Sequence, residues 1–418
     1  MAHFLLAPIG SSGDVLPFVG IGRALRDRGH DVTLLTAEVF RRASELAGLR
    51  FVGTQSAEDF DHLTKQPDLW HSRRGATVVL QALTSVLRSD FARIASAYEP
   101  GRTVLVGHSL SFAARVFEEI HHPPAATLHL APSLFRSDYQ QPTYIPGADS
   151  SDWPVWLKRA IWRLVDRWLL DPSVVPELNR WRRELGLAPV SRVFKTWLHS
   201  PRRIVGLFPD WFGPPQPDWP PQLRLTGFPL YDGRDEQPPS VGLRAFLDRG
   251  SPPVLFTPGT ANRTAAPFFA AALAASRRIR RRALFLTKYP EQLPAAIGAD
   301  GWHEPYVPFS QVLPHCAAIV HHGGIGTCAQ GLAAGVPQLT MPLAFDQPDN
   351  TTRLWRLGVA RWVRPRAFTP DRVSAELTSL VGDSRVAERC RHWATAIRHS
   401  DPVGETCALL EEVAADLG

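Results

Sequence analysis

Short apolar runs alternate with amphipathic segments along both halves of the chain. The runs cover residues 3–8, 31–36, 102–107 and 125–130, and then 252–260, 282–287, 317–322 and 338–343. Between the first two runs, a helix is predicted over 16–28 and ended by Gly29. Its apolar face carries Phe18, Ile21 and Leu25. Apolar strands that alternate with such helices are typical of α/β folds, in which helices cover both faces of a parallel sheet.

The alternation is interrupted once, near mid-chain, by the polar segment 231–240, which is rich in glycine and proline and predicts a linker. A chain of 418 residues fits two domains of about 200 residues each. We therefore predict two doubly wound α/β domains, with residues 1–235 forming the first and 236–395 the second. A helix over 396–418 is expected to pack back on the first domain. In such folds ligands bind at the carboxyl ends of the strands, so a cleft is expected where the two sheets face each other.

The segment between residues 151 and 220 differs from this pattern because it holds eight of the thirteen tryptophans. These are Trp153, Trp156, Trp162, Trp168, Trp181, Trp197, Trp211 and Trp219. Their spacing over 153–170 is compatible with a helix. Because tryptophan is highly buried on average, core and inter-helix packing is the first interpretation. A wall around a large apolar substrate, or a patch that contacts a membrane, is the alternative.

Composition and charge exclude several classes of protein. The net charge is +6, and only four of the 46 basic residues are lysine, but the basic residues are scattered and accompany no nucleic-acid-binding motif. No run approaches the ~20 apolar residues that cross a bilayer, and no signal peptide is recognisable. The four cysteines form no CxxC pair, which indicates reduced thiols in a cytoplasmic protein and no metal site.

The stretch from His321 to Asn350 has the chemistry of an anion site. Three closely spaced glycines at the end of a predicted strand let backbone amides approach a ligand, and they open a short helix over 327–334. The helix dipole and its free amides favour a diphosphate. Thr327 adds a hydroxyl at the helix start, and His322 can donate a hydrogen bond to a phosphate oxygen.

One strand later, Asp346 and Gln347 place a carboxylate beside an amide. Such a pair can hold the vicinal hydroxyls of a sugar. A tight turn followed by a helix cap would explain the same residues separately, but the order and the spacing favour a site for a nucleotide sugar.

On these residues the chain resembles family 1 glycosyltransferases of the GT-B fold, which are inverting enzymes that use nucleotide sugars. The resemblance implies that His322 contacts the diphosphate, that glycines and Thr327 cradle it, and that Asp346 and Gln347 bind the sugar. The full set of implied donor residues is Gly259, Thr260, Tyr306, Val307, His322, Gly324, Gly326, Thr327, Gln330, Asp346 and Gln347.

Two of these residues depart from the family pattern. Tyr306 stands where the base-stacking residue is usually tryptophan, and Val307 beside it would offer its backbone to the base. Gln330 stands where plant-type members carry a glutamate that binds both ribose hydroxyls. The resemblance therefore leaves room for dTDP, which has one sugar hydroxyl fewer, as well as for UDP.

The first loop, GSSGDVLP over 10–17, permits three interpretations. A dinucleotide site needs glycine where Ser12 stands, and a Walker loop needs a lysine that is missing. Asp14 could simply cap the first helix. A bacterial subset of the family, which this loop resembles, has aspartate at the position of the catalytic base. The resemblance thus assigns the base to Asp14.

The acceptor is expected on the same side of the cleft as this base. Ser12 and Gly13 belong to the first loop, and His108 and His129 end two further strands of the first domain. We expect these four residues to line the acceptor site; for each histidine, a purely structural role is the alternative.

A narrower resemblance, to the catalytic rhamnosyltransferases of rhamnolipid synthesis, extends over nearly the whole chain. The stretches that carry it are 10–25, 197–201, 207–220, 226–233 and 323–338. It implies transfer of L-rhamnose from dTDP-rhamnose to a hydroxyl of a hydroxy fatty acid, with no cofactor beyond the nucleotide sugar and no metal. The chain departs from those enzymes at His322 and Thr327, where they have proline and alanine.

Two alternatives stay open at this point. One is a UDP-glucose-dependent glucosyltransferase acting on a polyketide, terpenoid or phenolic compound. The other is a catalytically silent GT-B partner protein. A cytoplasmic location is expected, and peripheral contact with the inner membrane is left open.

Overall fold

The computed structural model describes residues 1–72, 74–145, 150, 152–233 and 238–417. Its first domain contains a parallel sheet ordered β3-β2-β1-β4-β5-β6-β7. The strands are β1 (His3–Ala7), β2 (Asp31–Thr36), β3 (Arg50–Gly53), β4 (Thr103–His108), β5 (Ala125–His129), β6 (Arg203–Gly206) and β7 (Leu223–Leu225). The helices are α1 (Ser12–Asp27), α2 (Arg41–Leu46), α3 (Ala57–Thr64), α4 (Gly75–Ser85), α5 (Leu87–Ala97), α6 (Phe112–His121), α7 (Val155–Val165) and α8 (Asp171–Glu184).

The second domain repeats this arrangement with a parallel sheet ordered β10-β9-β8-β11-β12-β13. The strands are β8 (Val254–Thr257), β9 (Ala283–Leu286), β10 (Gly301–Glu304), β11 (Ala318–His321), β12 (Gln338–Thr340) and β13 (Ala360–Trp362). The helices are α9 (Val241–Asp248), α10 (Ala266–Arg278), α11 (Phe309–Val312), α12 (Ile325–Ala334), α13 (Gln347–Arg356), α14 (Pro370–Gly382), α15 (Ser384–Arg398) and α16 (Pro402–Ala414). The prediction of two doubly wound α/β domains is confirmed.

Burial follows from the covering of both sheet faces by helices. Every residue of β1, β4 and β5 is buried, as the continuous apolar runs require. The core of the first domain also includes Ile325, Cys328 and Leu332 of α12. The two domains therefore share one packed region next to the cleft, which holds α1 and α12 against each other.

The end of the chain crosses back to the first domain. Helix α16 packs along α1, where Arg28 pairs with Glu411 at 2.8 Å. In the preceding helix, α15, the ring of Trp393 stacks on Trp211 of the first domain with centroids 4.5 Å apart. These contacts restrain the distance between the two sheets and so the width of the cleft.

Several predicted elements differ from those found. Helix α1 begins at Ser12 rather than near residue 16, because Ser11 adopts an extended N-cap conformation directly after β1. The strands β3, β6, β7, β10 and β13 were not predicted, because each is short and also contains a charged residue, namely Arg50, Arg203, Arg224, Glu304 and Arg361. The first three residues of the predicted linker, 231–233, are irregular, while 234–237, which include the predicted domain boundary, lie outside the described residues.

Residues 155–184 of the tryptophan-rich segment are helical, in agreement with the tryptophan spacing over 153–170. Helix α7 runs through one π-helical turn at 166–170 directly into α8. All four cysteines are buried and unpaired. No helix in the described ranges is long and apolar enough to cross a membrane.

Candidate active site

A cavity of about 550 Å³ lies between the two sheets at the carboxyl ends of their strands. The loops after β1, β8, β11 and β12 reach into it from both domains. Residues from every loop of the predicted site meet here, as parallel sheets facing each other require. The cavity is therefore the candidate active site.

Asp14 sits in the first turn of α1 and opens on this cavity. Its carboxylate oxygen Oδ2 accepts hydrogen bonds from the backbone N–H of Ser11 at 2.7 Å and from the Ser11 hydroxyl at 3.1 Å. Burial raises the pKa of Asp14 to about 6, and the two bonds from Ser11 oppose that rise. The structure thus shows the helix cap, and it places the same carboxylate at the cavity, where the predicted catalytic base is expected.

Position 10, in the loop before Asp14, requires glycine for a steric reason. Gly10 has a φ of +133°, and a Cβ atom there would overlap the Asp14 carboxylate. On the opposite side, a Cβ atom added to Gly326 would lie 3.5 Å from the Cα of Gly13. The N-terminal ends of α1 and α12 therefore approach each other across the cleft, with Asp14 at the point of approach.

The loop between β11 and α12 holds His322 in a narrow slot. A Cβ atom at Gly259 would lie 2.9 Å from the imidazole Cε1, and one at Gly324 would lie 2.6 Å from Nε2. Burial lowers the pKa of His322 to about 4, so the imidazole ring is neutral at pH 7. Its Nδ1 is buried and has no hydrogen-bond partner within the described part of the chain. A buried, unpaired nitrogen beside a helix N-terminus fits a site whose ligand supplies the partner.

His321, directly before His322, has a structural role. His321 is fully buried; its Nε2 contacts the side-chain oxygen of Gln338 at 2.9 Å, and its Nδ1 accepts from the Gly323 N–H at 3.1 Å. The ring therefore fixes the path of the glycine turn from below. The hydroxyl-bearing residues Thr260 and Thr327 line the cavity next to this turn.

Asp346 and Gln347 follow β12 on the same wall. The Asp346 carboxylate accepts from the Asn350 amide at 2.6 Å, while burial and, next in size, the charge of Asp14 raise the pKa of Asp346 to about 7. The Gln347 side-chain oxygen accepts from the backbone N–H groups of Leu343 and Ala344 at 2.8 and 3.1 Å. This fixes the amide and leaves its N–H₂ group without an acceptor among the described residues. The effect of the Asp14 charge on Asp346 shows that the two carboxylates, the predicted base and the predicted sugar ligand, lie close together.

The residues predicted to bind the nucleobase and ribose of the donor line the same cavity. Tyr306 lines it and donates from its hydroxyl to the backbone carbonyl of Asp232 at 2.9 Å, so the ring is tied to the end of the first domain. Val307 is buried beneath it. Gln330 lines the cavity from the second turn of α12.

On the acceptor side, three of the four predicted residues line the cavity, namely Ser12, Gly13 and His108. The Nδ1 atom of His108 accepts from the Leu110 N–H at 3.3 Å, and burial lowers the pKa of His108 to about 3. A neutral ring that accepts at Nδ1 carries its proton on Nε2. His108 is therefore placed to donate a hydrogen bond rather than to act as a base.

The expectation that His129 lines the acceptor site is not met. Its side chain is fully buried and outside the cavity wall. One ring nitrogen contacts the Ser109 hydroxyl at 2.9 Å and the other the His199 ring at 3.0 Å. Both nitrogens are satisfied inside the domain, so the structural alternative describes this residue.

The tryptophans of the tryptophan-rich segment do not form the cavity wall either, although Leu170, Phe194 and Leu207 of the same segment line the cavity. Trp162, Trp181 and Trp197 are buried, as core packing predicts, whereas Trp156 and Trp168 are exposed. Within the described residues, none of the eight tryptophans between 151 and 220 lines the cavity. The interpretation of these tryptophans as a wall around the substrate is thereby corrected.

Two residues at the cavity were missed by sequence reasoning. The indole N–H of Trp70 is buried without a described partner, and its ring lies edge-on to His322 with centroids 6.5 Å apart. Asp90 is 7% exposed and lines the cavity, with one oxygen 3.4 Å from Arg93; burial raises its pKa to about 6. Neither lies in a motif, because both come from helical segments whose position depends on long-range packing.

Part of the cavity wall is apolar. The residues that line the cavity and also belong to one hydrophobic cluster are Val79, Leu80, Leu83, Leu110, Leu170 and Phe194. This half of the cavity is chemically distinct from the glycine-rich half around His322. Among the described residues, no group of three or more histidine, cysteine or acidic side chains could hold a metal ion.

Two models of known domain families match separate parts of the chain. Residues 4–97 match the glycosyltransferase family 28 N-terminal domain, and residues 292–409 match the C-terminal domain of erythromycin biosynthesis protein CIII-like proteins. O-mycaminosyltylonolide 6-deoxyallosyltransferase of Streptomyces fradiae is 32% identical, over 97% of this chain and 96% of the relative.

Solved structures show the same fold. The glycosyltransferase of kitacinnamycin superposes with a TM-score of 0.75 at 20% identity, over 99% of both chains. The glycosyltransferase VinC in complex with dTDP superposes with a TM-score of 0.68 at 18% identity, over 99% of this chain and all of the other. The two-domain arrangement is thus that of GT-B proteins.

Proposed function

The chain belongs to the glycosyltransferases of the GT-B fold, and on that premise we propose that it transfers a 6-deoxyhexose, L-rhamnose in the first instance, from a dTDP-sugar to a hydroxyl of a lipophilic acceptor. The observation that carries this proposal is the opposition of Asp14 to the His322 loop and Asp346 across one cleft. A base, an anion site and a sugar-binding carboxylate are the three parts that the transfer needs.

In the proposed reaction Asp14 accepts the hydroxyl proton of the acceptor while the acceptor oxygen forms a bond to C1 of the sugar. The bond between C1 and the diphosphate oxygen breaks on the opposite face, so the configuration at C1 inverts. With a pKa of about 6, Asp14 is mostly ionised at pH 7 and is a stronger base than an exposed aspartate. The nucleotide sugar is the sole co-substrate.

The leaving diphosphate is stabilised by the start of α12. Backbone N–H groups from Gly324 onward and the positive end of the helix dipole face the leaving oxygens, and His322 and Thr327 add hydrogen bonds. These groups stand where a metal ion would otherwise neutralise the charge. Trp70, whose indole N–H has no described partner, is positioned to add a donor from the first domain.

The choice of dTDP is supported by Gln330 and by one neighbour. An amide in place of a carboxylate removes the group that would grip two ribose hydroxyls, and the neighbour VinC is known in complex with dTDP. The relative from Streptomyces fradiae is named a 6-deoxyallosyltransferase, and L-rhamnose is likewise a 6-deoxyhexose. UDP-glucose stays the alternative donor.

The apolar half of the cavity supports a lipophilic acceptor with few polar groups. A hydroxy fatty acid, as in rhamnolipid synthesis, and a polyketide or related natural product both meet this description. The relative named for an O-mycaminosyltylonolide acceptor favours the natural product. Asp90, His108 and Arg136 are among the polar and charged residues that line the cavity and could orient it.

The test is sugar transfer by the purified chain. It is incubated with dTDP-L-rhamnose or UDP-glucose and with a panel of acceptors: a hydroxy fatty acid dimer, a macrolactone, a sterol and a phenol. Products are identified by mass spectrometry, and dTDP and UDP affinities by calorimetry. We expect transfer from dTDP-L-rhamnose, abolished in Asp14→Asn while dTDP still binds. Transfer from UDP-glucose alone would overturn the donor assignment, and dTDP binding without any transfer would favour a silent partner protein.

A further inference from the structure

The helix that begins at Val155 presents an apolar face to solvent. Trp156 is 69% exposed and Trp168 is 71% exposed, with Leu164 and Leu169 exposed beside them. Trp153 adds a further exposed ring just before the helix. Exposed tryptophans are uncommon, and a cluster of them marks an interaction surface. We call residues 153–169 the α7 face.

The exposed positions form one side of the helix rather than a scatter. Trp156, Arg163 and Arg167 are separated by seven and four residues, which places them on one face. The opposite face, with Trp162 and Asp166, is buried against the domain. An amphipathic helix normally turns its polar side to water, but here tryptophan and leucine are turned outward together with arginine.

The charges on the α7 face are almost all positive. Arg159 is paired with Asp138 at 2.8 Å, whereas Arg163 and Arg167 form no ion pair with any described residue. Asp152 is the one exposed acidic side chain among the described residues from 152 to 169. Arginine interleaved with tryptophan and leucine is the composition of helices that lie in the interface of an anionic bilayer.

The buried side of the same helix, opposite the exposed residues of the α7 face, reaches the cavity. The buried ring of Trp162 lies edge-on to Tyr144, with centroids 5.7 Å apart, and Tyr144 lines the cavity while being half exposed. Leu170, at the end of the same helical turn, also lines the cavity. A surface that contacts lipid here would bring the acceptor half of the cavity next to the bilayer.

We propose that the α7 face docks reversibly on an anionic membrane surface. Trp156, Trp168 and Leu164 enter the interfacial region, and Arg163 and Arg167 bind the phosphate groups of the lipids. The docking itself does not depend on the reaction. Its consequence, access of a membrane-dissolved acceptor to the cavity through Tyr144, rests on the proposed function.

The experiment measures binding of the full chain to vesicles of phosphatidylcholine alone or with about 30% phosphatidylglycerol. The second composition represents a moderately anionic bilayer. Co-sedimentation is followed at low and at high salt. The variants are Trp156→Ser/Trp168→Ser and Arg163→Glu/Arg167→Glu. The matched control is Trp355→Ser, which removes an exposed tryptophan from the second domain. Affinity for dTDP, which the α7 face does not touch, verifies that each variant is folded.

We expect the wild-type chain to bind the anionic vesicles, to bind neutral vesicles at least tenfold more weakly, and to be released by high salt. Both double variants should lose binding at least tenfold, and Trp355→Ser should match wild type. Absence of wild-type binding, or equal loss in Trp355→Ser, would overturn the proposal. So would a dimer in sedimentation velocity that only Trp156→Ser/Trp168→Ser disperses, since the face would then bind a second copy. Because no sugar transfer is measured, failure here leaves the proposed reaction untouched.

Discussion

Replacing Asp14 by asparagine separates the helix cap seen in the structure from the proposed role of this residue as catalytic base. As a helix cap, Asp14 contributes stability through its bonds from Ser11. As a buried, ionised base, it costs stability, because burial opposes the charge. Asparagine keeps an oxygen that can accept from Ser11, removes the charge and cannot take a proton from an acceptor.

The size of the charge term follows from the pKa. Unfolding returns the pKa of Asp14 from about 6 to its ordinary 3.8, which corresponds to about 3 kcal/mol at neutral pH. The sign is destabilising: the folded chain binds the proton more tightly, so the free energy of unfolding falls as pH rises from about 4 to about 6. The open cavity admits water, and asparagine accepts a weaker hydrogen bond than a carboxylate does. We therefore expect a net gain for Asp14→Asn of about 1–2 kcal/mol at pH 7.5, fading to none near pH 4.

Thermal unfolding of both proteins at pH 4.5 and pH 7.5 measures this difference, with Ser11→Ala as the control that removes a cap partner but keeps the charge. Turnover should fall by a factor of about 10² or more in Asp14→Asn. In wild type, kcat/KM should rise with pH through an apparent pKa near 6, shared with Asp346 because the two carboxyl groups are coupled. If Asp14→Asn unfolds at a lower temperature than wild type, as Ser11→Ala should, and still transfers sugar, Asp14 is only a cap and the reasoning is refuted.

Three further predictions concern the neighbouring residues. Binding of dTDP near pH 6.5 should be accompanied by proton uptake, because the diphosphate raises the pKa of His322 from about 4. Calorimetry in buffers of different ionisation enthalpy measures this proton uptake. Uptake that is unchanged in His322→Asn would contradict the assignment of His322 to the diphosphate site. Gly10→Ala should cost on the order of 2 kcal/mol in unfolding experiments and displace Asp14, whereas Gly13→Ala, whose added methyl group meets nothing closer than 3.8 Å, should not destabilise the fold. Trp70→Phe keeps the ring but loses the N–H, so affinity for dTDP should fall by about fivefold; unchanged affinity would show that the indole does not contact the donor.

Local pattern was enough to predict much of the architecture. Long apolar strands, the glycine turn before α12 and the helix after β1 depend on neighbouring residues in the chain, so their spacing carries the information. The resemblance carried by 321–350 likewise identified the loop around His322 and the Asp346–Gln347 pair. The strands β7 and β13 escaped prediction because each has only three residues with an arginine at its centre, whereas β8 and β11, at four residues each, lie within longer apolar runs.

What the tertiary structure decided is the environment of each group. Asp14 and Asp346 are more than 300 residues apart in the sequence, and only the fold brings the two carboxylates together. Burial raises the pKa of both, and the charge of Asp14 raises the pKa of Asp346 further. The packing of the 67–70 turn on α4 and of α5 on α6 gives Trp70 and Asp90 their places at the cavity, whereas the pairing of His129 with His199 takes that ring out of it. Burial, exposure and electrostatic coupling depend on residues distant in sequence. For that reason a single sequence identified the chemical groups of this site, and only the folded chain showed which of them face one another.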